Sequence, residues 1–155
     1  MCFSDLTFSK IFGLAGLRVG YGVGPKDMIT AIGKVRRAFD VSSVAQEAAL
    51  ASLADHGEIA RRRIANREAM TILDRVLRSH GLDPTGSAVA NFLFVRVGDA
   101  ARINEALLRQ GVIVRPLGPF GAPDALRITA GTLDEIAFLE RALEAVSVPE
   151  AVGER

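Results

Sequence analysis

Disulfide chemistry has almost no material in this chain. One cysteine, Cys2, can form no internal bridge, so a disulfide-stapled fold is excluded. No apolar run reaches membrane-span length, and Met1-Cys2-Phe3-Ser4-Asp5 lacks the basic and apolar regions of a secretory signal, so neither is expected. Charge of one sign is equally scarce. With 19 Lys and Arg against 18 Asp and Glu, the formal net charge is +1, which argues against nucleic acid as the main partner. Cys2, His56 and His80 fall in no His/Cys/Asp cluster at ligand spacing, and no metal site is expected. Gly20, Gly22 and Gly24 are followed by Pro25-Lys26-Asp27 instead of the third glycine of a dinucleotide loop. Gly33-Lys34-Val35 lacks the Ser or Thr of a phosphate loop. There is no internal repeat and no low-complexity segment.

What is present is a globular composition, 49% hydrophobic over 155 residues, which suits one domain. Its most informative stretch runs from Thr7 to Tyr21. A short apolar strand ends in Ser9 and Lys10, a glycine-punctuated turn follows, and Leu17, Val19, Tyr21 and Val23 then alternate with Arg18, Gly20, Gly22 and Gly24 at a period of two. This pattern predicts a second strand that carries Arg18 back toward Ser9 and Lys10. A lysine amine can form a Schiff base with an aldehyde, and a guanidinium and a hydroxyl can hold phosphate oxygens. The three together suit a phosphorylated aldehyde. Taken singly, Lys10 also reads as a surface lysine after a strand and Arg18 as a hairpin arginine.

Farther on, Pro25 marks a helix start, with Met28, Ile32, Val35 and Phe39 at helical spacing. Ser43 and Gln46 read as a capping box for a helix that pauses at Asp55-His56-Gly57. A second helix through Ile59, Ile64, Leu73 and Leu77 stops at His80-Gly81. The run Arg61-Arg62-Arg63 within it is flanked by Glu58 and Glu68 and has no interleaved aromatic residue, which weighs against a nucleic-acid surface. Residues 81–86 turn to Gly, Pro, Asp and Thr and mark an internal boundary. Beyond them, Asn91–Val97 reads as a buried strand, Asp99 as a helix cap with Gly111 past the end, and Val112–Arg115 as a strand. Pro116–Asp124 reads as a long loop, Ala125–Thr129 as a strand, and Thr132 with Glu135 as a second capping box for a helix ending near Pro149. Strand, helix, strand, strand, helix suits an α+β layer with helices on one sheet face.

Ser9-Lys10 followed by Phe12-Gly13-Leu14-Ala15-Gly16-Leu17-Arg18-Val19-Gly20-Tyr21 resembles the lysine signature of fold-type I pyridoxal-phosphate aminotransferases of class I/II, most like the histidinol-phosphate branch. The resemblance implies an α/β fold forming the C-terminal portion of such a transferase. In it, residues 1–41 would be the remnant of the cofactor-binding large domain and 42–80 the connecting helices. Residues 81–148 would form the α+β small domain, and 149–155 a frayed tail. It implies pyridoxal 5'-phosphate as cofactor, Lys10 as the residue that binds it covalently and shuttles the proton, and Ser9 and Arg18 as holders of its phosphate. Arg127, in Leu126-Arg127-Ile128-Thr129, resembles the family arginine that grips the substrate's anionic end. Arg115 falls where relatives carry an arginine for the distal anion or for loop order.

The partners implied are an amino donor, with histidinol phosphate foremost, and a 2-oxo acid. The setting implied is the cytoplasm, as a homodimer when full length, with no nucleic acid and no membrane. The family residues that precede the lysine segment have no counterpart here. The chain by itself is therefore expected to be at best a poor transaminase and to expose apolar surface. A decarboxylase on the same scaffold, or the aminotransferase-like half of a transcriptional regulator, is the alternative.

Overall fold

The computed structural model describes residues 4–86 and 88–146, and the expected tail at 149–155 lies outside them. The chain divides into two compact units, residues 1–63 and 64–155, with the division inside the long helix that joins them in sequence.

In the first unit, β1 (Ser4–Thr7) and β2 (Gly20–Val23) form an antiparallel pair in the register Ser4↔Val23 to Thr7↔Gly20. The ladder continues one step, where the Phe8 amide donates to the Val19 carbonyl at 3.2 Å. A Cβ on Gly20 would stand 2.7 Å from the Leu6 carbonyl oxygen, so only glycine lets the strands approach this closely. Helix α1 (Lys26–Val35) starts directly after Pro25, and α2 (Ser43–Ala54) follows. Phe8, Val19, Ala45 and Ala49 are the buried residues here, with Phe12, Leu14, Leu17 and Val41 packed against them. Leu6, Val23, Val35, Val44 and Leu50 are exposed.

The second unit holds most of the core. Helix α3 (His56–Ser79) contributes Ala69, Leu73, Val76 and Leu77 to it. The sheet order is β3 (Pro84–Thr85), β4 (Phe92–Arg96), β6 (Ala122–Thr129), β5 (Arg115–Leu117), with every pairing antiparallel. Helices α4 (Ala100–Arg109) and α5 (Leu133–Ala145) complete it. Leu93 and Val95 of β4 pair with Ile128 and Leu126 of β6, and all four are buried with Ile103 and Leu107 of α4 and Ile136 and Leu143 of α5. One sheet face is thus covered by helices. The alternate positions, Phe92, Phe94 and Arg96 with Arg127 between them, form the other face. The Asp99 carboxylate accepts from the Arg102 amide, and Thr132 and Glu135 make the reciprocal capping box, both as the sequence predicts. Among the described residues no helix is long and apolar enough to cross a membrane.

Several expected elements shift. Arg18 is not on the second strand. It closes a 3-10 turn (Ala15–Leu17) in the left-handed region, at φ 52°, and the strand begins only at Gly20. Leu17 misled the alternation because it packs on the small core from the turn. Helix α1 stops at Val35, and Phe39 takes φ 62° and is 97% exposed. The Asp40 carboxylate accepts from the Arg37 amide and Nε, each at 3.0 Å, and this local turn competes with the helix. The cap of α2 is Ser42, whose Oγ accepts from the Ala45 amide, while Gln46 donates to the Val41 carbonyl instead of completing a box. Val112 to Val114 precede the strand, since the Val112 amide is engaged by the Leu107 carbonyl at the end of α4. The expected 116–124 loop contains part of β5, a 3-10 turn (Gly118–Phe120) and the start of β6.

Candidate functional site

The sequence-predicted residues fall in two places, Ser9, Lys10 and Arg18 in the first unit and Arg115 and Arg127 in the second. Each place is built by its own strand pair.

In the first unit, Ser9 and Arg18 are the residues next beyond the Phe8–Val19 rung, one on each side of the hairpin. The Thr7 hydroxyl donates to Ser9 Oγ at 2.8 Å and accepts from the Ser9 amide at 3.1 Å, which fixes the half-buried Ser9 hydroxyl against the end of β1. Lys10 opens a tight turn. Its carbonyl accepts from the Gly13 amide at 2.8 Å, and the Leu14 amide returns to the Phe8 carbonyl at 2.9 Å. The Lys10 side chain is exposed and joins no ion pair among the described residues. Arg18 Nη1 donates to the Ala15 carbonyl at 2.7 Å, so the guanidinium is braced on the 3-10 turn and keeps its other donors. Phe8 and Phe12 pack ring to ring with centroids 4.7 Å apart, and the Tyr21 ring lies 6.0 Å from Phe8.

Sequence reasoning missed what holds this turn from outside. Arg62 on α3 donates from Nη1 to the Ile11 carbonyl at 2.8 Å. Its Nε donates to Glu58 at 2.7 Å, and Arg61 binds the same carboxylate through Nε and Nη2, each at 2.7 Å. The hydrogen bond from Arg61, then that from Arg62, lowers the Glu58 carboxyl from its ordinary 4.5 to about 2. The signal was in the sequence as Glu58 three and four residues ahead of Arg61 and Arg62, the helical spacing of an ion pair. A cleft of about 320 Å³ beside this cluster is lined by Ile11, Phe12, Leu14, Asp55, Glu58 and Arg62 among others.

In the second unit, Arg115 and Arg127 are direct partners across β5 and β6, so both side chains leave the same sheet face. The Arg127 guanidinium lies 5.1 Å from the Phe92 ring centroid. Its Nε is buried and has no hydrogen-bond partner among the described residues. Arg96, two positions along the neighbouring strand from the Arg127 partner Phe94, is by contrast satisfied by the Asp124 carboxylate. Neither Arg115 nor Arg127 has such a carboxylate among the described residues. Two unneutralised guanidiniums on one face are suited to a shared anion.

The model of the family "Aminotransferase class I and II" matches residues 6–146. Histidinol-phosphate aminotransferase 1 of Cupriavidus pinatubonensis is 47% identical over 146 residues, covering 89% of this chain and 39% of that protein. The corresponding protein of Dechloromonas aromatica is 46% identical, covering 89% and 38%. The chain thus spans about two fifths of the length of the curated relatives it matches. Among solved structures, histidinol-phosphate aminotransferase from Sinorhizobium meliloti in complex with pyridoxal-5'-phosphate matches with a TM-score of 0.81 and 29% identity, over 92% of this chain and 40% of that one.

Proposed function

Because the chain belongs to the class I and II aminotransferase family, we propose that it carries the cofactor lysine and the substrate-anion arginines of a pyridoxal 5'-phosphate-dependent aminotransferase. The reaction moves an amino group between histidinol phosphate and a 2-oxo acid. One observation carries the reading: Ser9-Lys10 and Arg18 leave the same end of one hairpin, directly beyond its last rung.

The donor set fits the cofactor. Ser9 offers a hydroxyl that Thr7 orients, Arg18 a braced guanidinium with free donors, and Lys10 an amine without an ion-pair partner among the described residues. A Cβ at Gly16 would meet nothing within 4 Å beyond its chain neighbours, so the 3-10 turn before Arg18 is open at that position. When bound, pyridoxal 5'-phosphate supplies an aldehyde for an amine and a ring that takes up electrons. Ser9 and Arg18 would hold its phosphate, next in the chain to the Lys10 amine. Lys10 would supply the amine that holds the cofactor and, when not so engaged, the base that moves a proton at the substrate carbon. Arg127, with Arg115 opposite, holds the substrate's anionic end, and the stacked Phe92 keeps that guanidinium in its plane. The same reading makes the enzyme a homodimer of the cytoplasm.

Borohydride reduction after incubation with pyridoxal 5'-phosphate tests it. Peptide mapping should place the pyridoxyl group on Lys10, and in a protein of the relatives' full length turnover should be seen with histidinol phosphate and a 2-oxo acid. Label on other lysines alone would refute the assignment.

A further inference from the structure

Three features converge on the peptide that follows Lys10. The Ile11 carbonyl accepts a hydrogen bond from Arg62 Nη1 at 2.8 Å, across 51 residues of sequence. Gly13, at φ +73°, has no side chain, and a Cβ there would lie 2.7 Å from that same Nη1, so the guanidinium occupies the space glycine leaves. Glu58 holds Arg62 Nε at 2.7 Å and fixes the orientation of the fork. The remaining hydrogen bonds of the turn are internal, Gly13 amide to Lys10 carbonyl and Leu14 amide to Phe8 carbonyl. Beside the packing of Phe12 on the small core, Arg62 therefore makes the turn's one side-chain hydrogen bond from a helix among the described residues.

We propose that Arg62 is a positioning residue for Lys10: anchored by Glu58, it pins the Ile11 carbonyl and holds the Lys10–Gly13 turn in the shape that presents the amine. The function served rests on the cofactor reading above, whereas the tether itself does not. A catalytic amine has to sit within a fraction of an ångström of its productive place, and the packing of Phe12 on the small core leaves the Ile11 peptide to be fixed by a hydrogen bond. The Arg61-Arg62-Arg63 run thereby gains a local task, since Arg61 and Arg62 share one carboxylate and Arg62 spends a further donor on the Lys10 turn.

Arg62→Met and Arg62→Lys separate this role from general support. In Arg62→Met, hydrogen exchange at the Gly13 and Leu14 amides should rise about tenfold, the loss expected for one hydrogen bond to a charged group. Exchange at the Phe8 and Ile103 amides, bonded to Val19 and Asp99 carbonyls, should stay as in the unaltered protein. The rate of the borohydride-trapped pyridoxyl label at Lys10 should fall by a similar factor, and Arg62→Lys, which keeps a cationic donor, should restore part of both. Unchanged Gly13 and Leu14 exchange would overturn the proposal, as would absent protection at these amides in the unaltered protein or a uniform rise across residues 4–63. If the unaltered protein takes no label at Lys10, the cofactor reading fails, and the exchange measurement still decides the tether.

Discussion

Arg115 stands directly opposite Arg127 on the β5–β6 ladder, two guanidiniums on one sheet face with no carboxylate between them among the described residues. Like charges placed so are unfavourable unless an anion joins them. The buried Nε of Arg127 adds a desolvation cost with no hydrogen bond to offset it. Both features accord with the anion-binding role proposed for the pair.

Arg127→Met should accordingly move binding and stability in opposite senses. On the function proposed above, and in a protein of the relatives' full length, loss of charge-assisted hydrogen bonds to the substrate anion should lower kcat/KM about 10- to 100-fold, mostly through KM. Removing an unpaired buried donor should leave thermal stability unchanged or raise it by about 1 kcal/mol. Steady-state kinetics beside a thermal melt checks both, and a marked fall in stability would make Arg127 a structural residue.

On the function proposed above, Lys10→Ala in a protein of the relatives' full length should remove at least about 10³-fold of turnover, because proton transfer and the covalent attachment would be lost together. The exposed side chain supports no packing, so the melt should not move. Residual transamination near the unaltered level would assign the chemistry elsewhere.

Acid should loosen the first unit in a defined window. The Glu58 carboxyl lies at about 2 when folded, below its ordinary 4.5, owing to the hydrogen bonds from Arg61 and Arg62. A depressed folded value means the stabilisation is complete above 4.5 and is lost as pH falls through about 2. Glu58→Gln should flatten the acid unfolding curve over that interval. Tyr21, the sole tyrosine in a chain without tryptophan, reports on this unit by fluorescence. Parallel curves for the two proteins would show that the cluster carries no linkage.

Gly20→Ala should disrupt the β1–β2 pair, since its Cβ would meet the Leu6 carbonyl oxygen at 2.7 Å and a backbone atom cannot step aside cheaply. A destabilisation of about 1–3 kcal/mol is expected, as for other overpacked positions. Urea unfolding followed by Tyr21 measures it, and an unchanged midpoint would mean the strands can part freely.

Much of the second unit was legible because its signals are local. Asp99, Thr132 and Glu135 announce their helices through side-chain chemistry within four residues, and Leu93, Val95, Ile103 and Leu107 carry clean periods of two and 3.6–4. Legibility failed where side chains compete for backbone. Asp40 ends a pattern that Phe39 seemed to extend, adjacent Ser42 and Ser43 offer two equivalent caps, and Leu17 is apolar for the sake of a turn. The residues proposed as the site could be named from the Ser9-Lys10 to Arg18 spacing. The Arg62 contact to Ile11 could not, since 51 residues separate the two and nothing local records their meeting.

Among the described residues the first unit keeps only Phe8, Val19, Ala45 and Ala49 away from solvent, two of them alanines, while the leucine-rich interior of the second is extensive. Warming should therefore soften the lysine-bearing half ahead of its neighbour. A ligand gripping that hairpin would then act as a mortar for the weaker masonry, and its release, more than collapse of the leucine core, would set the temperature at which the molecule stops working.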